Sequence, residues 1–315
     1  MSSGRKTLLV TGGRGAIGSF VVEAARDSGH RAIVLTRSDK NAEPPDTIFC
    51  DIRDAERLGE VLDAEGVTHI VHLAATLLDC ESDPLRGFSV NVAATAGLLD
   101  TALKHGIERV VVAGTKAAFG PLRGKWGYPT YASVPEDHPR RPDRAYGATK
   151  SMAEDVARLF RTKGLDAPVV RFGTTCGPGK SVAHGNSAIT SRMIEDAAAG
   201  KAISVTQGGD EMDDIIYNGD VAAGILAVTF ASKLSYDTYH IATGRLMSLH
   251  DLRRAILAHI PNADITIGPG LDFMGLGMGN YCLMAVDRIR SDVGFSHTRP
   301  VEDWVGDYIR RIRHP

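Results

Sequence analysis

The stretch Thr7-Leu8-Leu9-Val10-Thr11-Gly12-Gly13-Arg14-Gly15-Ala16-Ile17-Gly18 decides the fold of this chain. Its first five residues are an apolar run of strand length, and its end opens an amphipathic stretch at 17–28 that predicts a helix. Between the two, Gly12, Gly15 and Gly18 recur at every third position. One such glycine permits a tight turn, one lets a pyrophosphate approach the backbone, and one lets helix and sheet pack closely. The helix N-terminus adds unpaired N–H groups and the positive end of its dipole. A strand, this loop and a helix together predict a dinucleotide site rather than an ordinary turn.

Working outward, the alternation continues. Strands are predicted at 7–11, 32–36, 47–50, 69–74, 110–113 and 168–171, with helices at 17–28, 55–65 and 88–105 among them. Right-handed crossovers then give an α/β chain with a Rossmann-type doubly wound parallel sheet. After Arg171 the rhythm loosens into a Gly-, Ser- and Thr-rich segment at 172–190. A helix at 189–199, a strand at 203–206, a helix at 221–230, a strand at 239–242 and a final helix from about 301 are predicted next. The expected division is a nucleotide-binding domain at 1–172, with about 203–235 returning to it. A smaller C-terminal substrate-binding cap at 173–202 and 236–300 and a terminal helix at 301–315 complete it.

Composition excludes several classes. With 43% hydrophobic and 23% charged residues, the chain of 315 is neither disordered nor collagen-like. Its 36 basic and 38 acidic side chains leave no electrostatic footprint for nucleic acid. No apolar run approaches the roughly 20 residues that span a bilayer. The start MSSGRKTLLVTGG reaches a strand at once, so no signal peptide is expected and the expected location is cytoplasmic. Cys50, Cys80, Cys176 and Cys282 lie far apart with no C-x-x-C pair, so neither a disulfide framework nor a metal site is expected.

The second strand, where NAD-specific folds place an acid for the ribose hydroxyls, ends in Leu35-Thr36-Arg37-Ser38. With no carboxylate to repel a 2′-phosphate and an arginine to hold it, NADP is the expected cofactor, NAD remaining possible. Arg14 supplies a second cation, while a slipped register would bring Asp39 to the ribose. Asp51 is placed either to meet the adenine or to cap the helix at 54–65.

Tyr146-Gly147-Ala148-Thr149-Lys150 sets a phenol and an ammonium four residues apart on one helix face. A phenol titrates at about 10 in solution, and a nearby ammonium together with a positive nicotinamide favours the phenolate. This pairing in this setting resembles the extended short-chain dehydrogenase/reductase superfamily, the NAD-dependent epimerase/dehydratase-like enzymes. The resemblance extends over TGGRGAIG, HLAA (72–75), NVAATAGLLDTA (91–102), GTKAAFG (114–120), YGATK, RFGTTCGPG (171–179), DVAAGI (220–225) and DRIRSDVGF (287–295).

The resemblance implies that Tyr146 is the acid/base, that Lys150 binds the nicotinamide ribose and tunes Tyr146, and that Thr115 holds the substrate oxygen. Asn91 stands where the family has an asparagine near the cofactor; a helix-packing role is the alternative. Cofactor contacts are implied at Gly12, Arg14, Gly15, Ala16, Ile17 and Gly18, and at Thr36, Arg37, Ser38, Asp51 and Ile52. Leu73, Ala74, Ala75 and Phe172 complete the implied set with Tyr146 and Lys150. Substrate contacts are expected at Thr115, Lys116 and Thr174, and at Trp126 and Tyr128 facing the pocket mouth. A homodimer through the helices at 88–105 and 146–163 is a further implication.

Departures narrow the substrate. Nucleotide-sugar members of the family resemble one another in an asparagine where this chain has Thr174, and in arginines that hold the diphosphate. Here Asp213, in Gly209-Asp210-Glu211-Met212-Asp213-Asp214, falls at the first arginine position, and the run GLGMGNYCLMAVD has no arginine for the second. Acids beside a diphosphate repel it, so a nucleotide sugar is disfavoured. Lys116 and Ala117 replace the Asp-Glu pair of 4,6-dehydratases. Cys176 and His184 read as a buried thiol and a loop histidine, and His72 as a residue buried at a strand end. The methionines of LDFMGLGMGNYCLM (271–284) suit either an adaptable lid or a glycine-broken core segment. The expectation is an NAD(P)-dependent oxidoreductase acting on a small hydroxyl or carbonyl compound. The alternatives are a sugar or sugar-nucleotide epimerase, and a non-catalytic NADP-binding regulatory module, against which the intact Thr115, Tyr146 and Lys150 argue.

Overall fold

The computed structural model describes residues 4–37, 46–182, 184–277, 279–297 and 299–314. Six strands follow one another along the chain: β1 (Thr7–Thr11), β2 (Arg31–Thr36), β3 (Thr47–Phe49), β4 (His69–His72), β5 (Arg109–Ala113) and β6 (Val169–Phe172). With Thr238–Ile241 they form one sheet in the order Thr238–Ile241, β6, β5, β4, β1, β2, β3, every pairing parallel. The winding reverses between β1 and β4. There the connections leave in opposite directions and a crevice opens beyond the carboxyl ends of the strands.

Burial on both faces explains why the strands read as continuous apolar runs; Val110, Val111 and Val112 are all 0% exposed. Alternation along β1 divides the core. Leu8 and Val10 pack with α1 (Gly18–Asp27) and the helix Asn218–Phe230 on one face. Leu9 packs with α2 (Ala55–Ala64) and the helices Ala94–Lys104 and Ala145–Thr162 on the other. The helix predicted at 88–105 is interrupted: Pro84–Phe88 and Ala94–Lys104 flank a wider turn, Ser89–Ala93. Among the described residues no helix is long and apolar enough to cross a membrane.

Two expected boundaries change. Ile203–Val205, expected to return to the nucleotide-binding domain, pairs instead with Ile265–Ile267 in a separate two-stranded sheet. Thr238–Ile241, expected in the cap, pairs with β6, from Thr238 opposite Val169 to Ile241 opposite Phe172. The reason is burial: without that neighbour the backbone of β6 would be an open edge beside the core. Arg109 on β5 secures the seam. Its guanidinium donates to the carbonyls of Val228, Thr229 and Ala231 at 2.8, 3.0 and 2.8 Å, and pairs with Asp166 at 2.6 Å. It thereby caps the carbonyl end of the helix Asn218–Phe230.

Candidate active site

A cavity of about 640 Å³ lies in the crevice at the switch point. One end is main chain. Gly12 has φ +70°, and a Cβ there would lie 3.0 Å from the Ala74 nitrogen. A Cβ on Gly18 would lie 2.2 Å from the Gly12 oxygen, so only glycine lets α1 start so close to β1. No side chain caps the first turn of α1, and although the Ser19 and Val21 N–H groups donate to the Gly15 and Ile17 oxygens, the positive end of the helix dipole faces the cavity through Gly15–Gly18. Asn218 pins the loop from the other half of the chain, its Nδ2 donating to the Ala16 oxygen at 2.8 Å.

The expected cofactor residues Gly12, Arg14, Gly15, Ala16, Ile17, Gly18, Thr36, Arg37, Asp51, Ile52, Leu73, Ala74, Ala75 and Phe172 all line this cavity. Ser38 and Asp39 lie outside the described residues. Asp51 accepts from the Arg53 N–H at 2.9 Å and pairs with the Arg53 side chain at 2.6 Å, which holds its carboxyl below the usual range. The capping role falls to Asp54, which accepts from the Arg57 N–H at 3.0 Å. Arg37 and Arg53 also border an adjoining hollow with Arg86. A glycine-lined backbone cradle with cations at its far end fits a dinucleotide.

Thr115, Tyr146 and Lys150 all line the cavity. Thr115 follows β5 in extended conformation; its Oγ1 accepts from the Ala117 N–H at 3.2 Å. Lys150, 3% exposed, sits one turn along the helix from Tyr146. Burial pushes the Tyr146 phenol up to about 12, the polar influence of the Thr115 hydroxyl pulling the other way. Burial also lowers the Lys150 ammonium to about 8, opposed by Glu154. In the protein alone, then, desolvation sets the phenol's pKa, and the expected help of the ammonium to the phenolate is not among the influences on it.

Asn91 is buried away from the cavity. Its amide donates to the Thr76 oxygen at 2.9 Å and to Thr149 Oγ1 at 3.0 Å, and accepts from the Thr76 N–H at 2.8 Å. The helix-packing alternative describes it. His72 is likewise internal, bridging the hydroxyls of Thr11 and Thr95 at 2.7 and 2.9 Å, and burial lowers it to about 3.

The other end of the cavity is made of side chains from distant segments. Lys116 and Thr174 line it as expected. The Lys116 ammonium contacts both oxygens of Asp213 at 2.6 and 2.7 Å; Thr174 Oγ1 and the Cys282 N–H donate to the same carboxylate. Asp214 accepts from Thr243 and from the Gly244 N–H, and Glu211 accepts from the Tyr131 hydroxyl. All three acids are buried in the protein rather than presented to the cavity, so the expected repulsion of a diphosphate is removed. Trp126 and Tyr128 are corrected as well. Trp126 packs on His138 with ring centres 5.1 Å apart, and Tyr128 is exposed against Tyr131. Neither lines the cavity.

In the 271–284 run, Met274, Leu276, Gly279, Asn280 and Cys282 form one wall, while Met284 is core and Met278 lies outside the described residues. Asp272 braces the run, accepting from the Tyr281 hydroxyl at 2.7 Å and the Leu276 N–H at 2.9 Å. It is therefore a packed wall. Cys176 is core, whereas His184 reaches the cavity. Sequence reasoning missed Glu81, which accepts from the Tyr146 N–H at 3.3 Å, as well as Arg144 and Lys180. None of the three belongs to a motif that would have drawn notice.

Residues 8–242 match the NAD dependent epimerase/dehydratase family. The dTDP-L-rhamnose 4-epimerase of Burkholderia thailandensis is 28% identical over 295 residues, covering 81% of each chain. Among solved structures, the UDP-glucose 4-epimerase of Thermotoga maritima superposes with TM-score 0.83 at 21% identity over 98% of both chains. An L-threonine dehydrogenase of Cupriavidus necator gives 0.84 at 22% over 97% of this chain and 99% of that one. Those two likenesses concern the fold.

Proposed function

Because the chain belongs to the NAD dependent epimerase/dehydratase family, we propose that its cavity supports hydride transfer between a nicotinamide cofactor and a small hydroxyl or carbonyl compound. The observation that carries this reading is that Thr115, Tyr146 and Lys150 all line the cavity whose far end is the glycine cradle. The bound nicotinamide supplies the hydride acceptor or donor. The protein supplies the proton path and the positioning. Thr115, its Oγ1 oriented by the Ala117 N–H, fixes the substrate oxygen. Tyr146, protonated at neutral pH, gives its proton to that oxygen when a carbonyl is reduced and accepts it in the reverse direction. Lys150 holds the ribose and places positive charge beside the phenol. Tyr146→Phe should lower turnover by about 10²–10⁴-fold and leave cofactor affinity unchanged; activity within a few-fold of wild type would refute the assignment.

An epimerase that oxidises and then re-reduces one carbon is the second reading. It is favoured by the sugar-nucleotide epimerases among the relatives and by the withdrawal of Asp213 from the cavity. Isomerised product in excess of cofactor, without net change in its absorbance, supports this reading; stoichiometric NAD(P)H supports the first. NADP as preferred cofactor is supported by Thr36 and Arg37 at the cavity's far end and by Asp51 being held by Arg53. A homodimer is supported by Leu85, Phe88, Met152 and Leu159, apolar residues exposed on Pro84–Phe88 and Ala145–Thr162; light scattering of twice the chain mass is the expected result.

A further inference from the structure

We propose that Lys180 is the recognition point for a single carboxylate on the substrate, so that the compound that reacts is a hydroxy or oxo acid. The inference rests on the hydride-transfer reading and specifies its substrate class.

Lys180 ends the loop Gly177-Pro178-Gly179 that follows the short strand Thr174–Cys176. Its residue is 5% exposed and lines the cavity; its ammonium donates to the Thr175 oxygen. Among the described residues no carboxylate forms an ion pair with it, although Lys116 a short way off is fully engaged by Asp213. Asp213 thus neutralises Lys116 and leaves the charge of Lys180 over. An ammonium removed from water without a counter-charge is costly, and buried charges are ordinarily paired. The cavity is where the missing partner can sit. One negative charge balances this corner, whereas a phosphate dianion would leave it negative. An ammonium has three donors, so with one on Thr175 two remain, enough for the two oxygens of a carboxylate.

The surroundings agree. Arg144 adds a second cation at the rim, donating to the Leu276 oxygen at 2.8 Å. His184 faces Lys180 through the bond between its Nδ1 and the Lys180 oxygen at 3.0 Å; burial and the ammonium together lower its pKa, keeping it neutral. Burial lowers the Lys180 ammonium itself to about 8, with Lys116 acting the same way and Cys176 and Asp213 opposing. Anion binding should therefore fall as the pH passes 8.

The test is calorimetric titration of the cofactor-saturated protein with propionate, propionamide, inorganic phosphate and UDP. Propionate should bind, propionamide about tenfold more weakly or worse, and Lys180→Gln should lose about tenfold or more of the propionate affinity. NADP affinity of Lys180→Gln should stay within about twofold, which also shows that the variant is folded, and Lys180→Arg should retain part of the propionate binding. No propionate binding, equal binding of propionamide, or unchanged propionate affinity in Lys180→Gln would overturn the proposal. Tighter Lys180-dependent binding of phosphate or UDP would overturn the choice of a carboxylate. An equal loss of NADP affinity would give Lys180 to the cofactor, whose loop is close: a Cβ on Gly179 would lie 3.8 Å from the Ala16 Cα. The two readings fail separately. Hydroxy amides oxidised as fast as hydroxy acids would remove the carboxylate and keep hydride transfer; Lys180-dependent propionate binding without hydride transfer would do the reverse.

Discussion

The cofactor end of the cavity is main chain, and twelve consecutive residues from Thr7 to Gly18 supply its strand, turn and helix start. The substrate end is shaped by side chains: Lys116 and Thr174 line it, and Asp213 behind the wall holds both and the Cys282 N–H, four separate segments meeting at one carboxylate. The central ion pair of that end spans 97 positions. A backbone site is encoded by local spacing because glycine alone can fill its tight places. A side-chain site is encoded by pairings, and a charge seen in sequence has no fixed meaning until its partner is known. Asp213 illustrates this: as an unpaired acid it repels a diphosphate, while as the partner of Lys116 it repels nothing.

The largest effect should come from breaking that pair. Lys116→Met leaves Asp213 buried without its counter-charge, with only Thr174 and the Cys282 N–H still donating to it, and chemical denaturation should show a loss of about 3–5 kcal/mol. Adding Asp213→Asn should recover most of it. A loss under about 1 kcal/mol would mean the pair is solvated and the substrate end no sterner than the surface.

Next in size is Gly18→Ala, whose Cβ would meet the Gly12 oxygen at 2.2 Å. It should cost about 1–3 kcal/mol and weaken cofactor binding. Gly97→Ala is the control, since a Cβ there meets nothing within 4 Å; it should be neutral or stabilise by up to about 1 kcal/mol. Equal effects at the two glycines would dissolve the claim that the cofactor end is shaped by backbone contact.

Cofactor choice sharpens the comparison, because it is the one property of the backbone end that side chains decide. NADP(H) should bind about tenfold more tightly than NAD(H), from the lower range of charge-assisted hydrogen bonds, with added salt narrowing the gap. Thr36→Asp with Arg37→Ser should reverse the order. Equal dissociation constants in the wild type would show that an acid reaches the ribose.

The smallest effect concerns His72 beneath the glycine loop. Burial lowers its folded-state pKa to about 3, so below about 6.5 the unfolded chain takes up the proton more readily and stability falls with pH. Between pH 6.5 and 5.5 the loss is at most about 1.4 kcal/mol. His72→Gln should flatten that slope in a denaturation series; an unchanged slope would place the acid sensitivity elsewhere, with His69 and His240 the other buried histidines held neutral.

Much of the sheet was legible because buried parallel strands are continuous apolar runs, and β1 to β6 fall within a residue or two of expectation. The exchange of Ile203–Val205 and Thr238–Ile241 was not legible. Both are short apolar segments, and nothing local says which of them pairs with β6. At the site, Tyr146 and Lys150 could be found because their spacing is helical. Lys180 after a Gly-Pro-Gly turn looks like any solvated lysine, and only its burial singles it out. Trp126 and Tyr128 misled for the opposite reason: aromatics in a loop suggest a pocket mouth, but His138 gave Trp126 a closer partner.

The seam between β6 and Thr238–Ile241 sets a timetable for the newborn chain. As synthesis proceeds from the N-terminus, β6 emerges with one edge unpaired, and Arg109 lacks the three carbonyls it will cap. The edge closes only when residue 241 of 315 is free to fold. Pairing across so long a separation is slow, and an open apolar edge in the meantime invites other strands. Chaperone dependence should therefore be greatest for ribosome-bound chains that have exposed β6 but not yet Thr238–Ile241. The same seam makes the chain indivisible: no cut between 173 and 237 leaves either piece with a finished sheet.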